Sequence, residues 1–232
     1  MLVVQCKQGV YFGKSGDALT QALSRADYSF LDEIDANRLP GNEIFSYAPG
    51  AGLFFGLAAH RHGAPELAEH FLRLEWERSE EPYAREAAEE LLVSYNAREL
   101  FEKTVPLAEA CLTKYKDTPF ADRAAFFKIE AVYWQKKDQE TLDLIAKMFP
   151  VPRETLKVVH PELFLFLTVA ETRLQKTGWE KTVREFYATL PASSLHWRFY
   201  TFLKLEKERL APFSPQELAL FEAKSLSLIH IS

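Results

Sequence analysis

"EEPYAREAAEE" (residues 80–90) and "DTPFADRAAFF" (residues 117–127) are two forms of one phrase, and they decide the fold class. In each, a proline and an aromatic residue precede charged residues and a pair of alanines. Pro82 and Pro119 lie 37 residues apart. Because proline is favoured in the first turn of a helix, each phrase predicts the start of the first helix of a helix–turn–helix unit. One such hairpin cannot bury its apolar face alone, so neighbouring hairpins are expected to stack.

The rest of the chain repeats a helical spacing of apolar residues, at intervals of three and four. Gly63 is expected to end one helix, Pro65 to open the next, and Asp138 to cap a later one. Comparable positions of successive second helices are expected at Ala68, Ala108, Ala146 and Tyr187. The sequence therefore predicts an all-α fold, an α-solenoid of stacked antiparallel helical hairpins over residues 15–225.

Two alanines near the starts of the repeated helices are expected to differ in their packing. Ala124 shares an apolar stripe with Phe127, Ala131 and Trp134, so this stripe is expected to face the neighbouring hairpin. Ala84 lies in the first turn after Pro82, where looser packing is expected.

Composition limits the classes of function. The chain has 232 residues, a net charge of −5 and a pI of about 5.8, which argues against a nucleic-acid partner. Its two cysteines, Cys6 and Cys111, cannot form a disulfide framework or a zinc site of recognisable spacing. Cys111 falls on an apolar helical stripe and is predicted to be a core residue. No apolar run approaches the roughly 20 residues of a membrane span.

Both termini carry unusual residues. "MLVVQCKQG", within the predicted tail of residues 1–14, resembles the end of a signal sequence followed by a lipoprotein cleavage box, with Cys6 as the lipidated residue. An ordinary frayed N-terminus is the alternative for this tail. The last residues, 226–232, resemble the translation of a sequencing adapter and are excluded from the predicted domain.

A family resemblance rests on "GLAAHRHGAPELAEHFLRL", residues 56–74. Gly56 and Ala59 match the tight packing positions of a first helix, Gly63 ends it, and Ala68 and Leu72 match the second helix. Over roughly residues 50–225 the chain resembles the tetratricopeptide class of α-solenoid in a divergent form, since its repeats exceed the usual length of about 34 residues.

Within that class, the irregular hairpins with "PFAD"-like joints are most similar to the N-terminal superhelical region of soluble lytic murein transglycosylases. The resemblance implies a non-catalytic helical scaffold, the N-terminal part of a larger periplasmic enzyme that acts on peptidoglycan. No part of the chain matches that family's catalytic domain. The alternative is a stand-alone module for protein–protein interaction, or a lipoprotein adaptor held at the membrane by its lipid, with a cytoplasmic location if neither signal nor lipid is present.

Few residues are candidates for a functional site, and no catalytic, cofactor-binding or metal-binding residue is expected. Trp76, Trp134, Trp179 and Trp197 are candidates for lining a groove that holds sugar or peptide, although such residues also fill cores. The "HRH" at 60–62 is read as a solvated helix end, because residues two apart on a helix cannot share a metal. The glutamates of "EWERSEEP" (residues 75–82) are read as a solvated face. "GKS" at 13–15 lacks the earlier glycine of a phosphate loop.

Overall fold

The computed structural model describes residues 50–78, 81–189 and 194–226, and all the regular structure of these residues is helical, which confirms the predicted all-α fold. The α-helices in chain order are α1 (Ala51–Arg61), α2 (Pro65–Arg78), α3 (Tyr83–Ala97), α4 (Phe101–Lys114), α5 (Pro119–Trp134), α6 (Asp138–Met148), α7 (Arg153–Val159), α8 (Pro161–Leu174), α9 (Trp179–Thr189), α10 (Ser194–Leu205) and α11 (Pro215–Leu226). A 3₁₀ turn, Lys207–Leu210, precedes α11.

The chain forms two compact units, one up to Lys116 and the other from Asp117 onward. In the described part of the first unit, α1 packs on α2, α2 on α3 and α3 on α4, and α3 also contacts α1. In the second unit α8 is central, because it contacts α5, α6, α7, α9 and α10, while α10 also packs on α11. Among the described residues no helix is long and apolar enough to cross a bilayer.

The same turn closes the first helix of four hairpins. Gly63, Glu99, Lys136 and Gln175 all adopt left-handed backbone angles, with φ between 50° and 80°. The N–H of the residue after each of them donates to a carbonyl five residues earlier, as in Leu100 to Tyr95 at 2.8 Å and Lys137 to Val132 at 3.3 Å. These are Schellman turns, which satisfy the last carbonyls of a helix. They recur at intervals of 36, 37 and 39 residues.

These turns correct the predicted register of the second helices. Five residues after the first three left-handed positions stand Ala68, Thr104 and Thr141, each with a buried side chain, and five residues after the fourth stands the half-buried Glu180. Thr104 and Thr141 donate their hydroxyls to the carbonyl four residues earlier, at 3.3 and 3.0 Å. Ala146, placed at an equivalent position by the sequence pattern, is exposed. The sequence pattern failed because it followed alanines alone. The buried position also accepts threonine, whose hydroxyl is hydrogen-bonded within its own helix.

Several local expectations are confirmed and others are wrong. Gly63 follows the end of α1 with φ 80°, and α2 begins at Pro65.

Cys111 is a fully buried core residue, and burial raises the pKa of its thiol to about 12. Asp138 is the first residue of α6 and makes no side-chain cap, because Lys137 holds the cap position. The short helix α7 was not predicted at all.

The expected difference between the two alanines is wrong. Ala84 and Ala124 are both fully buried, with 0% exposure. Pro82, outside the helix at the cap position of α3, lets Ala84 face the core from the first turn. Trp134 also departs from its predicted stripe, since 48% of it is exposed at the end of α5.

In the first unit, α1 and α2 approach closely because glycines of α1 face α2. A Cβ atom on Gly56 would lie 2.5 Å from Cγ of Leu72, and one on Gly52 would lie 2.7 Å from the carbonyl oxygen of Phe71. A side chain at Gly56 would therefore displace Leu72, and one at Gly52 would push the two helix backbones apart. The resemblance had assigned Gly56 to a tight packing position, and the structure places it there.

Glu75 of α2 supplies the cap that α1 lacks. Its carboxylate is buried, with 2% exposure, and accepts the N–H groups of Gly50 at 2.9 Å and Gly52 at 2.7 Å. Unpaired N–H groups and the positive end of the helix dipole both favour a carboxylate at this place. The interaction ties the start of one helix to the body of the next. The sequence pattern had read this glutamate as solvated, which is wrong.

In the second unit, a hydrogen-bonded group attaches the additional helix α7. Arg153 of α7 donates to Thr182 at 2.8 Å and forms an ion pair with Glu171. Thr182 donates in turn to the other carboxylate oxygen of Glu171, at 2.9 Å. One residue each from α7, α8 and α9 is therefore joined in a single network.

His196 is a buried titratable group of the second unit. Its ring lies 5.1 Å from that of Phe186 and 5.2 Å from that of Tyr187, measured between centroids. Burial, and to a lesser extent the charge of Lys224, lowers the pKa of His196 to about 4, although a backbone hydrogen bond to Phe186 acts in the opposite direction. The imidazole is therefore neutral in the folded protein at pH 7.

We expect Glu75→Gln to lower the free energy of unfolding by about 1 to 2 kcal/mol, because it removes the charge from a buried helix cap. Glu77→Gln, on the exposed side of the same helix, is the matched control and should change it by less than about 0.5 kcal/mol. Urea unfolding followed by circular dichroism measures both. Equal midpoints for the two variants would contradict the assigned role of Glu75.

A second prediction concerns the acid side of the stability profile. His196 has a folded pKa of about 4 and an unfolded pKa near 6.5, so the unfolded chain binds more protons between these values. The free energy of unfolding should therefore fall as the pH drops from about 6.5 to 4, and the contribution of His196 to this fall is up to roughly 3 kcal/mol. His196→Phe should flatten that part of the profile, and His62→Phe, at an exposed helix end, should not. Parallel profiles for His196→Phe and the parent would refute this assignment.

Candidate functional site

A groove in the first unit lies between α2, α3 and α4 and encloses about 350 Å³. Its apolar floor comes from all three helices, and its charged rim comes from α2 and α4. The floor consists of Trp76, Leu91, Tyr95, Pro106 and Leu107, and the rim of Arg73, Glu77, Glu102 and Lys103. We call this surface the α2–α4 groove. An apolar floor with a few polar groups around it is the usual form of a ligand site.

Trp76 is held firmly in the floor of the α2–α4 groove. It packs, partly buried, against the core cluster that includes Leu72 and Leu91. The ammonium of Lys114 lies 4.5 Å from the centroid of its ring, and the Tyr115 ring lies 6.1 Å away. A cation over an indole face is attracted by the electron density of the ring. Trp76 therefore has one fixed position.

The rim carries two acids and two bases. Arg73 and Glu77, one turn apart on α2, form an exposed ion pair of 3.3 Å. Lys103 is paired with Glu69 at 2.6 Å. Glu102 makes no ion pair with any residue that the structure describes. The groove thus offers one uncompensated carboxylate beside two neutralised pairs.

Tyr95 links the floor to the charges outside it. Its hydroxyl donates to Glu69 at 3.1 Å, and burial, followed by the charge of Glu69, raises its pKa above the ordinary value. Arg98 lies between Glu66, at 2.8 Å, and the second oxygen of Glu69, at 3.5 Å. Because Glu69 also binds Lys103, these five side chains form one network beside the groove.

The four tryptophans predicted to line a groove have different surroundings. Trp76 lines the α2–α4 groove, whereas Trp134 is an exposed residue of the second unit. Trp179 is a core residue with 7% exposure, and its ring meets that of Phe213 edge to face at 5.7 Å. Trp197 belongs to α10, but its side chain is outside the described part of the structure, as is all of Cys6.

The histidines and glutamates that the sequence singled out lie at helix ends or form hydrogen bonds within the fold. His60 and His62 are exposed at the end of α1, and His70 is half-buried on α2, where burial lowers its pKa. Glu81 accepts a hydrogen bond of 2.5 Å from Tyr115. No three metal-binding side chains come together in residues 50–78, 81–189 and 194–226. The "GKS" segment is outside these ranges.

Most of the groove residues were not found from the sequence. Glu102, Lys103 and Pro106 carry no motif, and they meet Trp76 only because the turn at Glu99 folds α4 back beside α2 and α3. The one available signal was the unusual Trp76 within an acidic stretch. No protein family, curated protein or solved structure matches this chain significantly.

Replacing the two accessible tryptophans should separate their structural roles. Trp76→Ala removes a partly buried ring from the core edge and is expected to cost about 2 to 3 kcal/mol of folding free energy. Trp134→Ala removes a ring that is half exposed and should cost less than about 1 kcal/mol. Urea unfolding of both variants tests this. A larger loss for Trp134→Ala would show that the burial of these rings is misjudged.

Proposed function

We propose that this chain is a non-catalytic, tetratricopeptide-like helical-repeat scaffold. The observation that carries the proposal is the Schellman turn that recurs at Gly63, Glu99, Lys136 and Gln175. A second observation supports it: in both units a first helix contacts both helices of the preceding hairpin, as α3 contacts α1 and α2, and α8 contacts α5 and α6. Contacts of this kind between one hairpin and the next helix are typical of solenoid proteins.

In its finer form, the proposal is that the chain is the helical part of a periplasmic lytic transglycosylase and holds peptidoglycan in the α2–α4 groove. The resemblance of its "PFAD"-like joints to that family supports this form. The groove is also suitable in its chemistry. The partly buried Trp76 ring is a partner for the apolar face of a sugar, and a rim with both charges complements peptides that carry both amines and carboxylates.

The test is co-sedimentation of the purified chain with peptidoglycan sacculi. We expect the parent protein to sediment with the sacculi, and Glu102→Gln to reduce the bound fraction about threefold or more, because the unpaired carboxylate of the groove is lost. Glu140→Gln is the matched control, since Glu140 is an exposed acid in the first turn of α6, as Glu102 is in α4. It should leave the bound fraction unchanged.

Two results would count against the finer proposal. The first is a parent protein that stays in the supernatant at every concentration of sacculi. The second is equal loss of binding in Glu102→Gln and Glu140→Gln, which would indicate a general effect of charge. Sequencing of the genomic locus is an independent test: a lysozyme-like domain in the same reading frame supports the enzyme, and helical repeats followed by a stop codon support the stand-alone interaction module or lipoprotein adaptor.

A further inference from the structure

The second unit carries a surface that the α2–α4 groove does not explain. Trp134, at the end of α5, has 48% of its surface exposed. The guanidinium carbon of Arg198, on α10, lies over this ring, 5.7 Å from the centroid of the indole and 6.0 Å from that of Phe166. We call this pair the Trp134–Arg198 surface. An apolar ring and a positive charge are thus presented side by side on this surface.

Arg198 has no hydrogen bond or ion pair with the residues that the structure describes. It lies against the rings of Trp134 and Phe166 and interacts electrostatically with Tyr133, and none of these contacts uses its N–H donors. These donors are therefore available to bind a carboxylate through two parallel hydrogen bonds. The arginine is thus held in place before any ligand arrives, which lowers the entropy cost of binding.

The charges near this surface are mainly positive, although the whole chain has a net charge of −5. Lys136 and Lys137 follow Trp134 in the turn after α5, and neither forms an ion pair within the described residues. Arg173 stacks on Tyr133 and is compensated by Asp138 at 3.2 Å. The acid closest in sequence on the same side of α5 is Glu130, one turn earlier, which has interactions of its own.

We propose that the Trp134–Arg198 surface binds an acidic segment of a protein partner. A carboxylate of the segment binds the edge of Arg198, and an adjacent apolar side chain covers the exposed indole of Trp134. Tryptophan and arginine are the residues most enriched where interfaces gain their binding energy. A protein segment fits better than a polyanion such as nucleic acid, because the acidic chain as a whole repels dense negative charge. The proposal does not depend on peptidoglycan binding, which concerns the other unit.

The test is fluorescence anisotropy with the whole chain and a fluorescein-labelled ten-residue peptide that alternates Glu and Leu. We expect saturable binding that weakens with added salt, and at least tenfold weaker binding of the matched peptide that alternates Gln and Leu. Arg198→Gln and Trp134→Ala should each weaken binding of the acidic peptide about tenfold. Arg85→Gln, the same charge change at an exposed residue of α3, should alter the affinity less than twofold.

Several outcomes would overturn the proposal. Absence of saturable binding to the acidic peptide is one, and equal weakening by Arg198→Gln and Arg85→Gln is another. Binding of anionic phosphatidylglycerol vesicles through Arg198, without binding of the peptide, would assign the surface to a membrane instead. If Arg198→Gln does not fold, Arg198→Lys replaces it, and the same tenfold weakening is expected because lysine cannot form the paired hydrogen bonds. Full affinity in that variant would overturn the proposed recognition.

Discussion

The left-handed residue that ends the first helix of a hairpin is the constraint on which the rest of this structure depends. With that residue in place, three residues suffice to reverse the chain between α3 and α4 and between α5 and α6. So short a connection leaves the second helix little freedom in where it starts. The buried positions of Ala68, Thr104 and Thr141 are then fixed by counting from the turn. The α2–α4 groove has the same origin, because its rim residues Glu102 and Lys103 lie directly after such a turn.

The fold class was predictable because it depends on pattern. Helical spacing of apolar residues, prolines at helix starts and a phrase repeated after 37 residues all reflect backbone rules that act locally. The Schellman turns were harder to predict, since Gly63 is the only glycine among the four left-handed residues that form them. Glu99, Lys136 and Gln175 adopt the same conformation against their intrinsic preference. Tertiary packing of the two helices overrides that preference, and no single-residue signal reports it.

The sites were predictable only in part, because they depend on which side chains meet. The four tryptophans are equivalent in the sequence pattern, but whether a tryptophan is buried or exposed depends on which residues pack over its ring. Trp179 meets Phe213, which is more than 30 residues away, and Trp134 ends a helix beside Arg198. Glu75 was misread for the same reason. Its partners are backbone N–H groups at the start of a different helix, which no spacing of charged residues could indicate.

The helix α7 shows how such an architecture accommodates added chain. It lies between the third and fourth hairpins and is attached by the network of Arg153, Glu171 and Thr182, while the turn at Gln175 keeps its form. Two different devices therefore act side by side in this unit. The turn sets how a hairpin closes, and the side-chain network holds a helix that belongs to no hairpin.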